Sequence, residues 1–230
     1  MKKTAFSPKV SFILVSVTLC ALIMCYVDAI IQPQYFVKSA IKILLFSSAP
    51  ILYFSLWRDQ LGAARALFRP KLKPLLLALG MGVVTYVVIL VGYLGLRHVV
   101  DFSVIAGKLN SDAGVNAENF VYVSLYISLV NSFLEELLFR GFAFITLRQH
   151  SSRGLAYVFS SVAFAVYHAG MTFGYFHIGI FLLTLGALFA VGLIFNLLNE
   201  RSENIYISWL VHMFANFAIN TVGFILFGIL

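Results

Sequence analysis

Two adjacent carboxylates and a guanidinium lie within six residues of an otherwise apolar stretch, residues 131–141. Glu135 and Glu136 are neighbours, and Arg140 follows Glu136 at i+4. On an α-helix this spacing allows Glu136 and Arg140 to form an ion pair, but it leaves Glu135 about 100° away around the axis. A charged side chain near the middle of a bilayer costs about 2.5–3.5 kcal/mol on insertion scales. The unpaired carboxylate of Glu135 is therefore the first candidate for chemistry.

Two further pairs that contain polar residues lie inside apolar runs, at spacings that fit one face of a helix. Phe164 and His168 are four residues apart, and so are His212 and Asn216. If the runs around residues 118–148 and 155–169 form an antiparallel hairpin about the turn at 151–152, then Glu135 and His168 lie at the same depth. The rise per residue places His212 at a shallower depth than Glu135, so the depth of a shared site is left open.

These residue types suit the attack of water on an amide carbonyl. A carboxylate that faces an imidazole can hold and deprotonate a water molecule. An imidazole and a carboxamide one turn apart can donate hydrogen bonds to a developing oxyanion. The set of Glu135, His168 and His212 could instead bind a divalent metal, with the ligand count of a zinc site that keeps one position open. Water activation without a metal and metal binding both fit the residues.

Each pair also has a structural explanation. Glu136 and Arg140 alone would serve as an ion-pair clamp, His168 as a hydrogen-bonded core residue, and His212 with Asn216 as a polar contact between helices. The occurrence of all three on separate apolar runs favours a shared site. His150, in a turn, and His177, at the end of a run, are interpreted as interfacial residues.

The composition indicates an integral membrane protein. Of the 230 residues, 61% are hydrophobic and 11% are charged, whereas a soluble domain carries roughly 25% charged residues. The formal charge of +7 does not indicate nucleic-acid binding, because the basic residues flank apolar runs and form no stripe. Cys20 and Cys25 lie in one apolar run and imply no disulfide framework.

The apolar runs predict an all-α fold, a polytopic transmembrane helical bundle of about seven spans. Most runs reach the roughly 20 residues that a helical span needs, and they cover residues 10–31, 36–57, 74–96, 118–148, 155–169, 176–198 and 205–230. Lys42, near the start of the second run, is predicted to snorkel to the interface. A short interfacial helix is expected around residues 61–68, and a polar loop at 97–117. Asn220 and Gly223 could break the last run and create an eighth span.

The chain divides into two predicted regions. Residues 1–117 form an N-terminal three-span region with a basic inner loop, and residues 118–230 form the helical core that carries the polar pairs. Five basic residues lie between 58 and 73, and Lys2 and Lys3 precede the first run, whereas the alternate loops hold only Lys38, Arg97 and Lys108. By the positive-inside rule, we expect the N-terminus on the inner side of a cytoplasmic membrane and the C-terminus outside.

The three motifs, taken in order, resemble those of the CPBP family of intramembrane endopeptidases, which includes the type II CAAX-prenyl and bacteriocin-processing proteases. Glu-Glu-x-x-x-Arg, Phe-x-x-x-His and His-x-x-x-Asn define that family, and the resemblance covers residues 118–220. It implies peptide-bond hydrolysis within the membrane, with water activated by Glu135 and His168 and the oxyanion held by His212 and Asn216. Glu136 and Arg140 would orient the site. The resemblance favours a glutamate-type mechanism with no cofactor over one that uses Zn2+.

The expected partners are a peptide or membrane-protein substrate and the lipid bilayer, with no nucleic acid. Two other classes of function remain open at this point. A small transporter or channel would also bury Glu, Arg and His, although the paired broken helices of inverted repeats are not evident in the sequence. A non-catalytic membrane protein could use the same fold to bind and regulate a partner. Peptidase activity, proton flux, and the phenotype of a Glu135→Ala, His168→Ala double variant distinguish the three.

Overall fold

The computed structural model describes residues 7–174 and 177–230 of the chain. Lys2, Lys3 and the predicted start of the sixth run at residue 176 lie outside the described residues. The helices of the described part are α1 (Pro8–Tyr26, continued by a π-helical turn at Val27–Ile31), α2 (Tyr35–Leu56), α3 (Leu61–Leu67), α4 (Leu72–Leu96), α5 (Ser103–Ala113), α6 (Phe120–His150), α7 (Arg153–Thr172), α8 (Ile178–Ser202) and α9 (Tyr206–Leu226).

The predicted all-α membrane fold is confirmed. Within residues 7–174 and 177–230, seven helices are long and apolar enough to cross a membrane, and none of these residues lies in a strand. The protein is therefore a multi-pass membrane protein. The short helix α3 lies where an interfacial helix was expected.

Two local predictions were wrong. The segment 97–117 is not simply a polar loop, because it contains α5, an 11-residue helix that ends at Gly114 in the left-handed conformation. Helix α9 runs without a break through Asn220 and Gly223 to Leu226. Asn220 is tolerated there because its Nδ2 donates to the carbonyl of Ser124 and to Ser128 Oγ on α6, both at 3.0 Å. The side chain is thus a contact between helices and not a helix breaker.

Aromatic packing among α2, α6 and α7 fixes the helices that carry the polar groups. The Phe46 ring lies 5.6 Å from Phe139 and 5.3 Å from Tyr167, both edge-on. Edge-to-face pairs of this kind each contribute about 0.5–1.5 kcal/mol beyond the area that they bury. Because Phe139 and Tyr167 are close in sequence to the acidic pair and to His168, this cluster fixes the rotation of α6 against α7.

Helix α6 departs from a regular α-helix in the region of the acidic pair. Tyr126–Asn131 and Glu136–Thr146 have π-helical hydrogen bonding, and Ser132–Glu135 between them is α-helical. A π segment has i→i+5 hydrogen bonds and changes the direction of the side chains that follow it, and such segments occur frequently at functional sites. The wider turn begins at Glu136, directly after Glu135.

The turn between α6 and α7 is held by a cap and by an ion cluster. Ser152 Oγ accepts a hydrogen bond from the backbone N–H of Leu155 at 3.2 Å, as an N-cap residue does. Glu200 of α8 accepts hydrogen bonds from Arg148 and Arg153 at 2.8 Å and from the Tyr157 hydroxyl at 2.7 Å. These contacts tie the α6–α7 hairpin to α8.

Helices α7 and α8 approach closely at Gly192, which gives a test of the packing. A Cβ atom at Gly192 would lie 2.9 Å from Ser161 Cβ and 3.0 Å from its Cα. We expect Gly192→Ala to destabilise the protein by about 1–3 kcal/mol, the range for overpacking, in thermal unfolding of the detergent-purified protein. Gly186→Ala is the matched control on the same helix, since nothing lies within 4 Å of its Cβ position. Equal melting temperatures for the two variants would contradict the packing.

Candidate active site

Glu135 is buried, with 1% of its surface exposed, and one of its two carboxylate oxygens is fully engaged. Oε1 accepts hydrogen bonds from Asn131 Nδ2 at 2.8 Å and from the Tyr167 hydroxyl at 3.0 Å. The Lys42 ammonium lies 3.5 Å from the same oxygen. Three donors from α6, α7 and α2 therefore hold one side of the carboxylate.

The other oxygen of Glu135 faces two histidines. Oε2 lies 3.6 Å from His168 Nε2 and 3.8 Å from His212 Nε2, and it has no hydrogen-bond partner among the residues described. Both separations exceed the usual length of a direct hydrogen bond. A water molecule about 2.8 Å from the carboxylate oxygen and from His168 Nε2 would bridge them as the apex of a triangle.

The orientation of the His168 ring is fixed by its own helix. Nδ1 lies 2.8 Å from the carbonyl oxygen of Phe164, one turn earlier on α7. Because a carbonyl only accepts, Nδ1 carries the proton, and in the neutral ring Nε2 presents its lone pair toward Glu135. The antiparallel hairpin predicted from the sequence thus does bring Glu135 and His168 together.

His212 is held by the second carboxylate, a contact that the sequence did not predict. Its Nδ1 lies 2.9 Å from Glu136 Oε1. The expected ion pair between Glu136 and Arg140 is present, at 3.5 Å. The Arg140 guanidinium lies 3.9 Å from the centre of the Phe164 ring, so a cation–π contact stabilises its burial. Arg140, Glu136 and His212 therefore form a chain that directs His212 Nε2 toward Glu135.

Asn216 lies one turn beyond His212 on α9, and its side chain contacts the backbone of α6. Nδ2 donates to the carbonyl of Ile127 at 3.1 Å. A carboxamide has two N–H donors, so this hydrogen bond uses one of them and orients the other. The structure thus brings His168 and His212 close to Oε2 of Glu135 and places Asn216 one helical turn beyond His212.

Three residues of the site were missed or misread from the sequence. The prediction that Lys42 snorkels to the interface was wrong: the side chain is buried, and Nζ donates to Asn131 Oδ1 at 2.5 Å and to the Tyr167 hydroxyl oxygen. The i,i+4 spacing of Asn131 and Glu135 was a usable signal for their hydrogen bond. Tyr167 precedes His168 directly, but a helical wheel gave no reason to place both side chains at one carboxylate.

Glu135, His168 and His212 were also the candidate ligands of a metal ion. No group of three or more His, Cys, Asp or Glu side chains in the described ranges is arranged to hold a metal ion. Tetrahedral zinc with bonds of 2.0–2.2 Å holds its ligand atoms about 3.4 Å apart, and the two histidine nitrogens lie 3.6 and 3.8 Å from Glu135 Oε2, so these separations are close to those of a zinc site. Lys42 also places a positive charge beside this carboxylate. The metal-free expectation stays a prediction, and chelation tests it.

A comparison with known protein families matches the part of the chain that carries the candidate site. Residues 117–218 match the family model of the type II CAAX prenyl endopeptidase Rce1-like proteins. No curated protein and no solved structure matches the chain. The family match confirms the resemblance that the three motifs indicated, and it contains every one of the six motif residues proposed for the site.

Proposed function

Since residues 117–218 form an Rce1-like segment of the CPBP family, we propose that the protein is an intramembrane endopeptidase that hydrolyses a peptide bond of a membrane-associated protein or peptide. The match indicates a protease, and the seven apolar helices of the described part indicate a substrate presented within or at the membrane. The proposal goes further, to the residues and the mechanism.

One observation carries the proposal. Glu135 has one oxygen saturated by donors and one oxygen directed at the Nε2 atoms of His168 and His212. Oε2 of Glu136 also has no hydrogen-bond partner among the described residues, but Oε2 of Glu135 is the one that lies near two imidazole nitrogens. A buried polar group left unsatisfied is costly, and a bound water would satisfy this oxygen. The open oxygen and the two imidazoles form a polar space in which a water molecule and a substrate carbonyl fit.

Water activation follows from this geometry. The water donates one hydrogen bond to Glu135 Oε2 and one to His168 Nε2, and its oxygen attacks the carbonyl carbon of the scissile peptide bond. Glu135 accepts the proton as general base. The C=O bond becomes the C–O⁻ bond of a tetrahedral intermediate. The donors on Oε1 keep the open oxygen of Glu135 directed at the water throughout.

The intermediate is stabilised from α9. In its protonated form, His212 donates from Nδ1 to Glu136 and from Nε2 to the oxyanion, and the second N–H of Asn216 is the other candidate donor. Removal of one oxyanion-hole donor typically lowers kcat about 10²–10³-fold. The intermediate then collapses: the C–N bond breaks, and Glu135 transfers its proton to the leaving nitrogen. A carboxylic acid and an amine result, and the acid then gives its proton to the amine or to solvent water.

The test is hydrolysis of a quenched fluorescent peptide library by detergent-purified protein, with and without EDTA, followed by mass spectrometry of the products. We expect the wild type to cleave at least one sequence and to retain its rate in EDTA, and the His168→Gln variant to lose about 10²-fold or more. Loss of activity in EDTA with rescue by zinc would contradict the metal-free mechanism. Proton flux in liposomes without cleavage, or full biological function of the Glu135→Ala, His168→Ala double variant, would contradict the peptidase assignment.

A further inference from the structure

Lys42 is a buried cation that the motif residues do not account for. It lies about two turns into α2, outside the family-matched segment 117–218, and 4% of its surface is exposed. Its ammonium group also lies 4.8 Å from the centre of the Tyr167 ring. A lysine near the end of a span extends toward water, whereas this side chain points into the bundle at Glu135.

All three donors of the Lys42 ammonium have an acceptor in the site. These are Asn131 Oδ1 at 2.5 Å, the Tyr167 hydroxyl oxygen, and Glu135 Oε1 at 3.5 Å. An ammonium has three N–H groups and no acceptor, so the set is complete. The two neutral partners link Lys42 to Glu135, because Asn131 Nδ2 and the Tyr167 hydroxyl both donate to Glu135 Oε1.

Each of the two buried carboxylates of the site also lies beside one basic side chain. Arg140 lies 3.5 Å from Glu136, and Lys42 lies 3.5 Å from Glu135. Each buried carboxylate therefore has one cation within 4 Å, a distance at which opposite charges attract each other. His168 can then act as a neutral acceptor for the water and need not balance the charge of Glu135.

We propose that Lys42 is a positioning residue for hydrolysis: directly and through Asn131 and Tyr167, it pairs with the Glu135 carboxylate and fixes its Oε1, so that only Oε2 receives the proton of the attacking water. By occupying the hydroxyl oxygen of Tyr167 and the carboxamide oxygen of Asn131, Lys42 leaves each group able only to donate to Glu135. This inference rests on the proposed function and extends it to α2.

The test measures kcat and KM separately in Lys42→Met, since methionine is neutral and of similar length. The matched control is Lys71→Met, at an exposed lysine before α4. We expect Lys42→Met to lower kcat about 10²-fold, the cost of a small misplacement of a catalytic group, with KM within about threefold of the wild type. Lys71→Met should leave both constants unchanged. Tyr167→Phe removes the hydroxyl that links Lys42 to Glu135 and should lower kcat by a smaller factor than Lys42→Met does.

Chemical rescue distinguishes positioning from a purely structural role. Propylammonium added to Lys42→Ala should restore part of kcat in a saturable way, and propanol, which has a similar shape but no charge, should not. An unchanged kcat in Lys42→Met, or equal rescue by propanol, would overturn the role of Lys42. If either occurs while Glu135→Gln is inactive, the proposed function stands and only this inference fails. A wild type that hydrolyses no peptide overturns both.

Discussion

Replacement of Glu135 by Gln is expected to lower kcat by about 10³–10⁴-fold. General-base catalysis contributes about 10²–10⁴-fold, and an amide in place of the open carboxylate oxygen can neither accept the proton of water nor return it to the leaving nitrogen. The variant keeps a carbonyl acceptor for Asn131 and Tyr167, which donate to Oε1 in the wild type. Steady-state kinetics on the cleaved library peptide measure the change.

The control for this prediction must separate lost chemistry from lost stability. Glu135→Gln leaves the Lys42 ammonium buried without its carboxylate, which destabilises the fold. We expect the double variant Glu135→Gln, Lys42→Met to recover stability in thermal unfolding and to remain inactive. Glu118→Gln, at an exposed carboxylate before α6, should behave as the wild type. Activity of Glu135→Gln above about a tenth of the wild type would contradict the general-base role.

Replacement of Arg140 by Met is expected to destabilise the protein by about 3–5 kcal/mol, the usual cost of removing one partner of a buried ion pair. The guanidinium is completely buried, lies 3.5 Å from Glu136, and lies 3.9 Å from the centre of the Phe164 ring. Without it, the Glu136 carboxylate keeps, among residues 7–174 and 177–230, the contact to His212 as its one polar contact. Thermal unfolding in detergent, compared with the wild type, measures the loss.

A double-mutant cycle tests whether the loss comes from the ion pair. Since Glu136→Gln removes the charge that Arg140 balances, we expect Glu136→Gln, Arg140→Met to be more stable than Arg140→Met alone. Activity should not return, because His212 Nδ1 loses the carboxylate that orients it. Strictly additive losses of stability would show that Glu136 and Arg140 do not depend on each other, against the observed contact.

Much of the site could be predicted from spacing alone. Glu135 and His168 were placed opposite each other by the symmetry of a hairpin about a two-residue turn, and their side chains do face each other. The ion pair between Glu136 and Arg140 followed from i,i+4 spacing. Both predictions depend only on helix geometry within one hairpin, which a sequence specifies well.

The contacts between separate helices could not be predicted in the same way. The rise per residue placed His212 at a different depth from Glu135. In the structure, α6 extends over 31 residues and is longer than a bilayer span needs. The middle of α6 can therefore contact α9. The prediction also assumed a regular α-helix, whereas a π-helical segment starts at Glu136. His212 was therefore paired with Asn216, and its contact with Glu136 was missed.

The misreading of Lys42 has a similar cause. Near a span end, the snorkelling of lysine is the general expectation, and it gave no reason to consider a partner on another helix. Lys42 donates to residues of α6 and α7 that are 89 and 125 positions away in the chain. No local pattern encodes such contacts. The general rule that an ionisable residue inside a membrane marks a functional site would have been the better guide.

Hydrolysis in H₂¹⁸O under single-turnover conditions tests the central claim most directly. Liposome-reconstituted wild type, in excess over the cleaved peptide and in the presence of EDTA, should place one ¹⁸O atom in the new carboxylate of the product. The peptide that contains Glu135 should remain unlabelled, since Glu135 transfers a proton and forms no bond to the substrate. Under the same conditions, Glu135→Gln should give no labelled product. Label in the Glu135 side chain, or labelled product formed by Glu135→Gln at the wild-type rate, would contradict the account.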